Sequence, residues 1–254
     1  MDLGLDGRVY IVTGASRGLG YATAAALVAD GARVVINARD EASLQQAAQT
    51  LGGGDMALPI SGDLAESDLG SRLIASAQAR FGRLDGAVIS VGGPPPGSTM
   101  DVDGQTWREA FDSVFLGPMQ LMTAVARSAG FEGAAVVLIL SSSVRQPVPG
   151  LDVSNGLRPG LAMLAKSLAD DLGPNGVRIN TLLPGRIETD RVREVDGSSP
   201  DPAQARRSQE AKIPLGRYGQ PEEFGRVAAF LVSPAASYVS GVALAVDGGA
   251  MRAL

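Results

Sequence analysis

The chain has 254 residues, 45% of them hydrophobic, and 27 acidic against 22 basic side chains give it a net charge of −5. That balance argues against a nucleic-acid surface, and no apolar run reaches the length of a membrane span. Histidine and cysteine are both absent, which removes disulfides, a thiol nucleophile, the usual metal ligand and the usual general base. No metal site is therefore expected. Without a charged and then apolar leader pattern, the chain is expected to stay in the cytoplasm. Its length suits one α/β domain over 1–254 better than two small ones.

The first predicted strand, over 8–12, runs into Thr13-Gly14-Ala15-Ser16-Arg17-Gly18-Leu19-Gly20. A helix follows over 21–29, closed by Gly31, and a second apolar strand covers 32–37. Glycines at 14, 18 and 20 allow a tight turn and let a diphosphate approach the helix N-terminus, where unpaired N–H groups and the dipole favour anions. Set between a strand and a helix, this pattern points to dinucleotide binding.

The cofactor can be read from the end of the second strand. An acid placed there would bond the ribose 2′-OH of NAD, but the sequence reads Asn37-Ala38-Arg39. Arg39, with Arg17 in the glycine turn, is suited to clamp a 2′-phosphate, so NADP(H) is expected ahead of NAD(H). Asp40 is expected to cap the helix that follows. Asp63, after a short third strand over 57–60, is placed either beside the adenine or at the N-cap of a helix over 67–81.

Strands and helices go on alternating. A strand over 87–90 ends in Gly92-Gly93-Pro94-Pro95-Pro96-Gly97, a long helix fits 106–128, and a strand over 135–140 runs into Ser141-Ser142-Ser143. A helix over 157–172 stops at Gly173-Pro174, and a strand over 177–183 meets Pro184-Gly185. The charged stretch 188–214 has no clean period and is expected to form a mobile lid over the substrate. A Pro-initiated helix over 221–232 and a strand over 242–246 complete the chain. The pattern predicts a single Rossmann-type, doubly wound parallel sheet with helices on both faces, with ligands outside the carboxyl ends of the strands.

These pieces together resemble the short-chain dehydrogenase/reductase family, particularly its 3-oxoacyl-[acyl-carrier-protein] reductase type. Thr13 to Gly20 matches TGxxxGxG, and Asp63-Leu64 resembles the adenine-side acid. Pro184-Gly185-Arg186-Ile187-Glu188-Thr189 resembles the element beside the nicotinamide, and Ile89-Ser90-Val91-Gly92 stands where the family has NNAG. Arg217 to Glu223 and Val246-Asp247-Gly248-Gly249 resemble its C-terminal signature. The resemblance implies NADP(H)-linked carbonyl/hydroxyl chemistry on a small-molecule or acyl-thioester substrate. It also implies a homotetramer built through the helices over 106–128 and 157–172 and the last strand.

The family's active-site residues do not carry over. Its serine maps to Ser142, or Ser141 if the loop has no deletion, its tyrosine to Ser154, its lysine to Arg158 and its asparagine to Val114. The only tyrosines are 10, 21, 218 and 238, and none has a lysine four positions on. Ser154-Asn155-Gly156-Leu157-Arg158 together with the 92–97 loop resembles a divergent subgroup of the family with the same replacements. Two readings stay open. In one, Ser142 and Ser154 orient a carbonyl, Arg158 stabilises developing negative charge and water delivers the proton. In the other, the protein is a catalytically silent nucleotide-binding regulator or partner subunit. Asp152 and Arg145 read as solvated loop charges.

Overall fold

The computed structural model describes residues 2–128, 133–197 and 199–253. Seven strands form one sheet in the order β3-β2-β1-β4-β5-β6-β7, every neighbouring pair parallel. They are β1 (Val9–Thr13), β2 (Arg33–Ala38), β3 (Ala57–Ser61), β4 (Gly86–Ser90), β5 (Ala135–Ile139), β6 (Arg178–Pro184) and β7 (Ala243–Val246). Val, Ile, Leu and Ala dominate β1, β4 and β5 because a parallel sheet covered on both faces has no solvent side. Tyr10, Val12, Ile36 and Val137 belong to the core packed by helices α1 (Gly18–Ala29) and α9 (Pro221–Val232). Their alternate neighbours Ile11, Val35, Ala87 and Val136 belong to the opposite core, with α3 (Leu69–Phe81), α5 (Gly117–Ser128) and α6 (Asp152–Leu172). The chain winds outward from β1 to β3 and then returns to place β4 on the other flank of β1. This switch point opens a crevice at the carboxyl ends of β1 and β4.

Local sequence explains most element ends. Asp40 precedes α2 (Glu41–Thr50), and its side chain accepts from the Ser43 N–H at 2.8 Å, as the sequence led us to expect. α3 starts at Leu69 after Asp68, so Asp63 does not cap it. The expected helix over 106–128 is three pieces: α4 (Gly104–Phe111), a π-turn (Asp112–Leu116) and α5. A side chain on Gly117 would run into the Leu64 carbonyl, so the helix passes that loop at backbone distance. Close packing of this kind is invisible to periodicity.

α6 begins at Asp152, five residues ahead of the expected start. Gly156 and Pro159 look like breakers in the sequence. In the structure the Asn155 side chain bonds both the N–H and the carbonyl of Val148, at 2.9 Å each, which anchors this first part of the helix. The stretch 188–214, which shows no clean period in the sequence, contains α7 (Asp190–Gly197) and α8 (Pro202–Glu210). Asp201 caps α8 by accepting from Gln204 N–H at 2.9 Å. Neither helix buries an apolar side chain, and ion pairs hold the segment instead: Arg206 to Glu188 at 2.7 Å and Arg186 to Asp196 at 3.1 Å. A sequence scan for apolar period therefore misses them. Among the described residues no helix is long and apolar enough to cross a membrane.

Candidate active site

The glycine turn is built for close approach by a ligand. Gly14 and Gly18 have φ of +60° and +62°, a conformation that favours glycine, and a side chain on Gly20 would collide with the Gly14 carbonyl. α1 thus starts directly at Gly18. Arg17, the residue before it, is extended and makes no side-chain cap, and no acid occupies the first turn. The first N–H groups and the positive end of the dipole are left for an anion. This fits the diphosphate of a dinucleotide. Thr13 donates to the Ser90 carbonyl at 3.2 Å and ties β1 to β4, while the Ala15 N–H donates to the Asn37 carbonyl at 3.0 Å. Ser16 is half-buried in the turn, and Leu19 packs against the core.

At the end of β2 the Asn37 amide donates to the carbonyls of Ile60 at 3.0 Å and Gly62 at 3.1 Å. It supports the rim rather than facing a ligand. Arg39 next to it is 82% exposed, and its guanidinium lies 3.7 Å from the Asp63 carboxylate. Asp63 also accepts from the Ala65 N–H at 2.9 Å, closing its own turn. These residues share one rim with Leu64, whose carbonyl packs on Gly117.

On the other side of the crevice, Pro184 ends β6 and the Gly185 N–H donates to the Val246 carbonyl at 3.0 Å. Ile187 is buried and bridged to Gly219, which directs Thr189 back toward the glycine turn. The Thr189 methyl sits 3.8 Å from where a side chain on Gly18 would begin.

The three serines after β5 are sorted by tertiary structure. Ser141 accepts from the Ser143 N–H at 3.1 Å and caps a short turn over Ser142–Val144. Ser142 is half-buried and directs no hydroxyl to Ser154. Ser143 is the one that turns inward: its hydroxyl lies 3.0 Å from the Ser154 hydroxyl, and both side chains are buried. The partner of Ser154 is thus Ser143, where the sequence suggested Ser142 or Ser141. Three consecutive serines before a loop of altered length give no register, and only burial distinguishes them.

Arg158 lies one helical turn beyond Ser154 on the same face of α6. It is 5% exposed and donates to four backbone carbonyls: Leu140 at 2.6 Å, Gly92 at 2.8 Å, Val91 at 3.1 Å and Ile139 at 3.5 Å. Its Nε is buried and unpartnered, and among the described residues no carboxylate pairs with it. Burial, with the nearby Arg191 charge, pushes its pKa down to about 10. Four of its five donors therefore fasten the ends of β4 and β5, which corrects the expectation of a guanidinium free to polarise a substrate oxygen. Val114, which the sequence placed at the family's asparagine position, is buried in the π-turn and joins the apolar cluster of Val91, Leu140 and Leu161.

The two loop charges also have partners. Asp152 accepts from the N–H and hydroxyl of Thr99 at 2.8 and 3.0 Å, which hold its carboxyl below the usual range and pin the proline loop. Arg145 donates to the Ala243 carbonyl at 2.5 Å. Among the described residues no group of three or more Asp or Glu is arranged to hold a metal ion.

A parallel sheet with this strand order, a glycine turn at its switch point and a hydroxyl pair at the next strand end define a Rossmann-type dinucleotide-binding protein. A family model described as enoyl-(acyl carrier protein) reductase matches residues 14–251. The chain is 34% identical over 249 residues to L-rhamnose 1-dehydrogenase (NAD(P)(+)) of Azotobacter vinelandii, covering 95% of this chain and 96% of that one. It is 33% identical over 256 residues to dehydrogenase/reductase SDR family member 4 of Bos taurus, covering 98% and 89% respectively. Its fold matches that of L-sorbose reductase from Gluconobacter frateurii, solved with NADPH and L-sorbose, with a TM-score of 0.92, 26% identity and 100% of both chains covered. The chain belongs to the short-chain dehydrogenase/reductase family.

Proposed function

We propose that this protein is an NADP(H)-dependent oxidoreductase that interconverts a carbonyl and a hydroxyl on a small molecule, with a hydroxyl pair where the family has its tyrosine. The observation that carries this reading is the buried Ser143–Ser154 contact of 3.0 Å, set beside a glycine turn suited to a diphosphate. A bound NADPH would supply the hydride. Thr13, Gly14, Ser16, Gly18, Leu19 and Gly20 would cradle its diphosphate, and Arg17 and Arg39 its 2′-phosphate. Asp63 and Leu64 would flank the adenine. Gly92, Pro184, Gly185, Ile187 and Thr189 would border the nicotinamide.

Ser154 and Ser143 donate a hydrogen bond to the substrate oxygen as negative charge develops there, and water supplies the proton that the oxygen finally keeps. Ser141 and Ser142 shape the turn that presents Ser143. Arg158 acts as a positioning residue, holding the carbonyls of Val91, Gly92 and Leu140 in place. The α7–α8 segment closes over the substrate as a lid. The names of two similar proteins, a rhamnose dehydrogenase and a sorbose reductase, favour a small polar substrate over an acyl thioester. Stacked Phe111 and Phe115, with exposed Met163 and Leu244, would offer apolar surface to further copies of the chain in a homotetramer.

The test is NADPH consumption with a panel of sugars, ketones, aldehydes and acyl thioesters, beside Ser143→Ala and Ser154→Ala. Turnover lost in both variants supports the assignment, and turnover intact in both removes it. Tight NADPH binding with no turnover of any substrate would instead identify a silent, nucleotide-binding regulator.

A further inference from the structure

α7 opens with a charge that no ion pair neutralises among the described residues. The Arg191 guanidinium lies over Gly93, in the space a side chain there would occupy. The neighbouring acids are taken by other arginines. Asp190 pairs with Arg193 at 2.6 Å, Glu188 with Arg206 at 2.7 Å and Arg193 at 3.7 Å, and Asp196 with Arg186 at 3.1 Å. Arg191 has no ion pair among the described residues. It lies near Arg158, whose guanidinium bonds the carbonyl of Gly92 beside Gly93 and is buried, bonded only to carbonyls and left with an unpartnered Nε. Two like charges therefore border one spot, next to the Gly92 carbonyl and one helical turn from Ser154. Arg158 is buried and Arg191 exposed, so an anion that arrives from solvent at Arg191 would also offset the charge of the buried guanidinium.

We propose that Arg191 is a specificity residue that binds a carboxylate on the substrate, so that the reacting compound is an oxo acid or hydroxy acid. This rests on the reading of the Ser143–Ser154 site as an oxidoreductase site. The planar fork of Arg191 matches a carboxylate bidentately, and the missing side chain of Gly93 lets that fork lie against the backbone beside the strand end. A coenzyme diphosphate is a less suitable partner. It would lie at the glycine turn, near Thr189, whereas the Arg191 guanidinium lies over Gly93, in the loop after β4.

The experiment compares pyruvate, acetoacetate and levulinate with their methyl esters, which carry the same ketone without the charge. Binding to the NADP⁺-loaded protein is measured by calorimetry, and NADPH oxidation is followed separately. The expected result is at least one acid favoured over its ester by about tenfold or more, with the preference lost in Arg191→Met and NADPH affinity unchanged. The proposal is overturned if all three esters match their acids. It is equally overturned if the preference survives Arg191→Met, or if that variant weakens NADPH about tenfold, because the arginine then serves the coenzyme. Selective binding of an acid without any NADPH oxidation would sustain the carboxylate site while removing the oxidoreductase reading.

Discussion

The Ser154 hydroxyl meets the Ser143 hydroxyl at 3.0 Å inside the protein, eleven residues apart in sequence, because α6 starts early enough to bring position 154 back against the turn after β5. The two act as one hydrogen-bonding unit. Ser143→Ala and Ser154→Ala are each expected to lower kcat/KM by roughly 10- to 100-fold, and the double variant to fall no further than the worse single one. Steady-state kinetics on the three variants checks this. Losses that multiply would mean that the hydroxyls act separately.

Arg158 reaches four backbone carbonyls at once. Lysine has three donors on a single nitrogen and cannot span both strand ends. Arg158→Lys is expected to destabilise the fold by about 2–4 kcal/mol, because buried carbonyls lose their partner, and to lower Tm by roughly 5–10 °C. Thermal unfolding of the two proteins decides it. An unchanged Tm would show that the four bonds contribute little.

Arg39 stands exposed at the end of β2, 3.7 Å from Asp63. If it clamps the 2′-phosphate, Arg39→Ala should weaken NADPH about tenfold, some 1.4 kcal/mol, and leave NADH affinity where it was. Calorimetric titration with both coenzymes reads this directly. Equal effects on the two would place the arginine elsewhere in the coenzyme site.

Glu223 at the start of α9 accepts from Arg217 at 2.7 and 2.8 Å and from the Gln220 N–H at 2.7 Å. These partners push its pKa down to about 2 from an ordinary 4.5, the Arg217 hydrogen bond being the largest cause. A carboxyl with a lowered folded-state pKa stabilises above its ordinary value, and that stability is lost as pH falls through the folded value. Glu223→Gln should thus have a modestly lower Tm than wild type at pH 7. The difference should close as pH drops from 4.5 toward 2. A gap that persists at the acid end would mean the ion pair is not its source.

Periodicity and turn chemistry announce what is local. The runs of Val and Ile in β1, β2 and β5, the glycine turn and the Asp40 cap all follow from residues within a few positions of one another, and each is where the sequence places it. The elements it hides are those held by distant partners. α7 and α8 depend on ion pairs and caps rather than apolar stripes, and the first turn of α6 forms despite Gly156 and Pro159. The π-turn before α5 goes with the close passage of Gly117 by Leu64, a residue fifty-three positions earlier.

The amino-acid order alone determined a parallel, doubly wound sheet, a cradle for a dinucleotide and the absence of a tyrosine–lysine pair. Each of these depends on residue identity at short spacing, which a linear reading can see. Only the folded chain decided which serine faces Ser154, that Arg158 grips carbonyls and that Arg191 has no ion pair among the described residues. Hydroxyl register and charge compensation depend on distances between segments far apart in the chain, and those distances exist only after the strands and helices have packed.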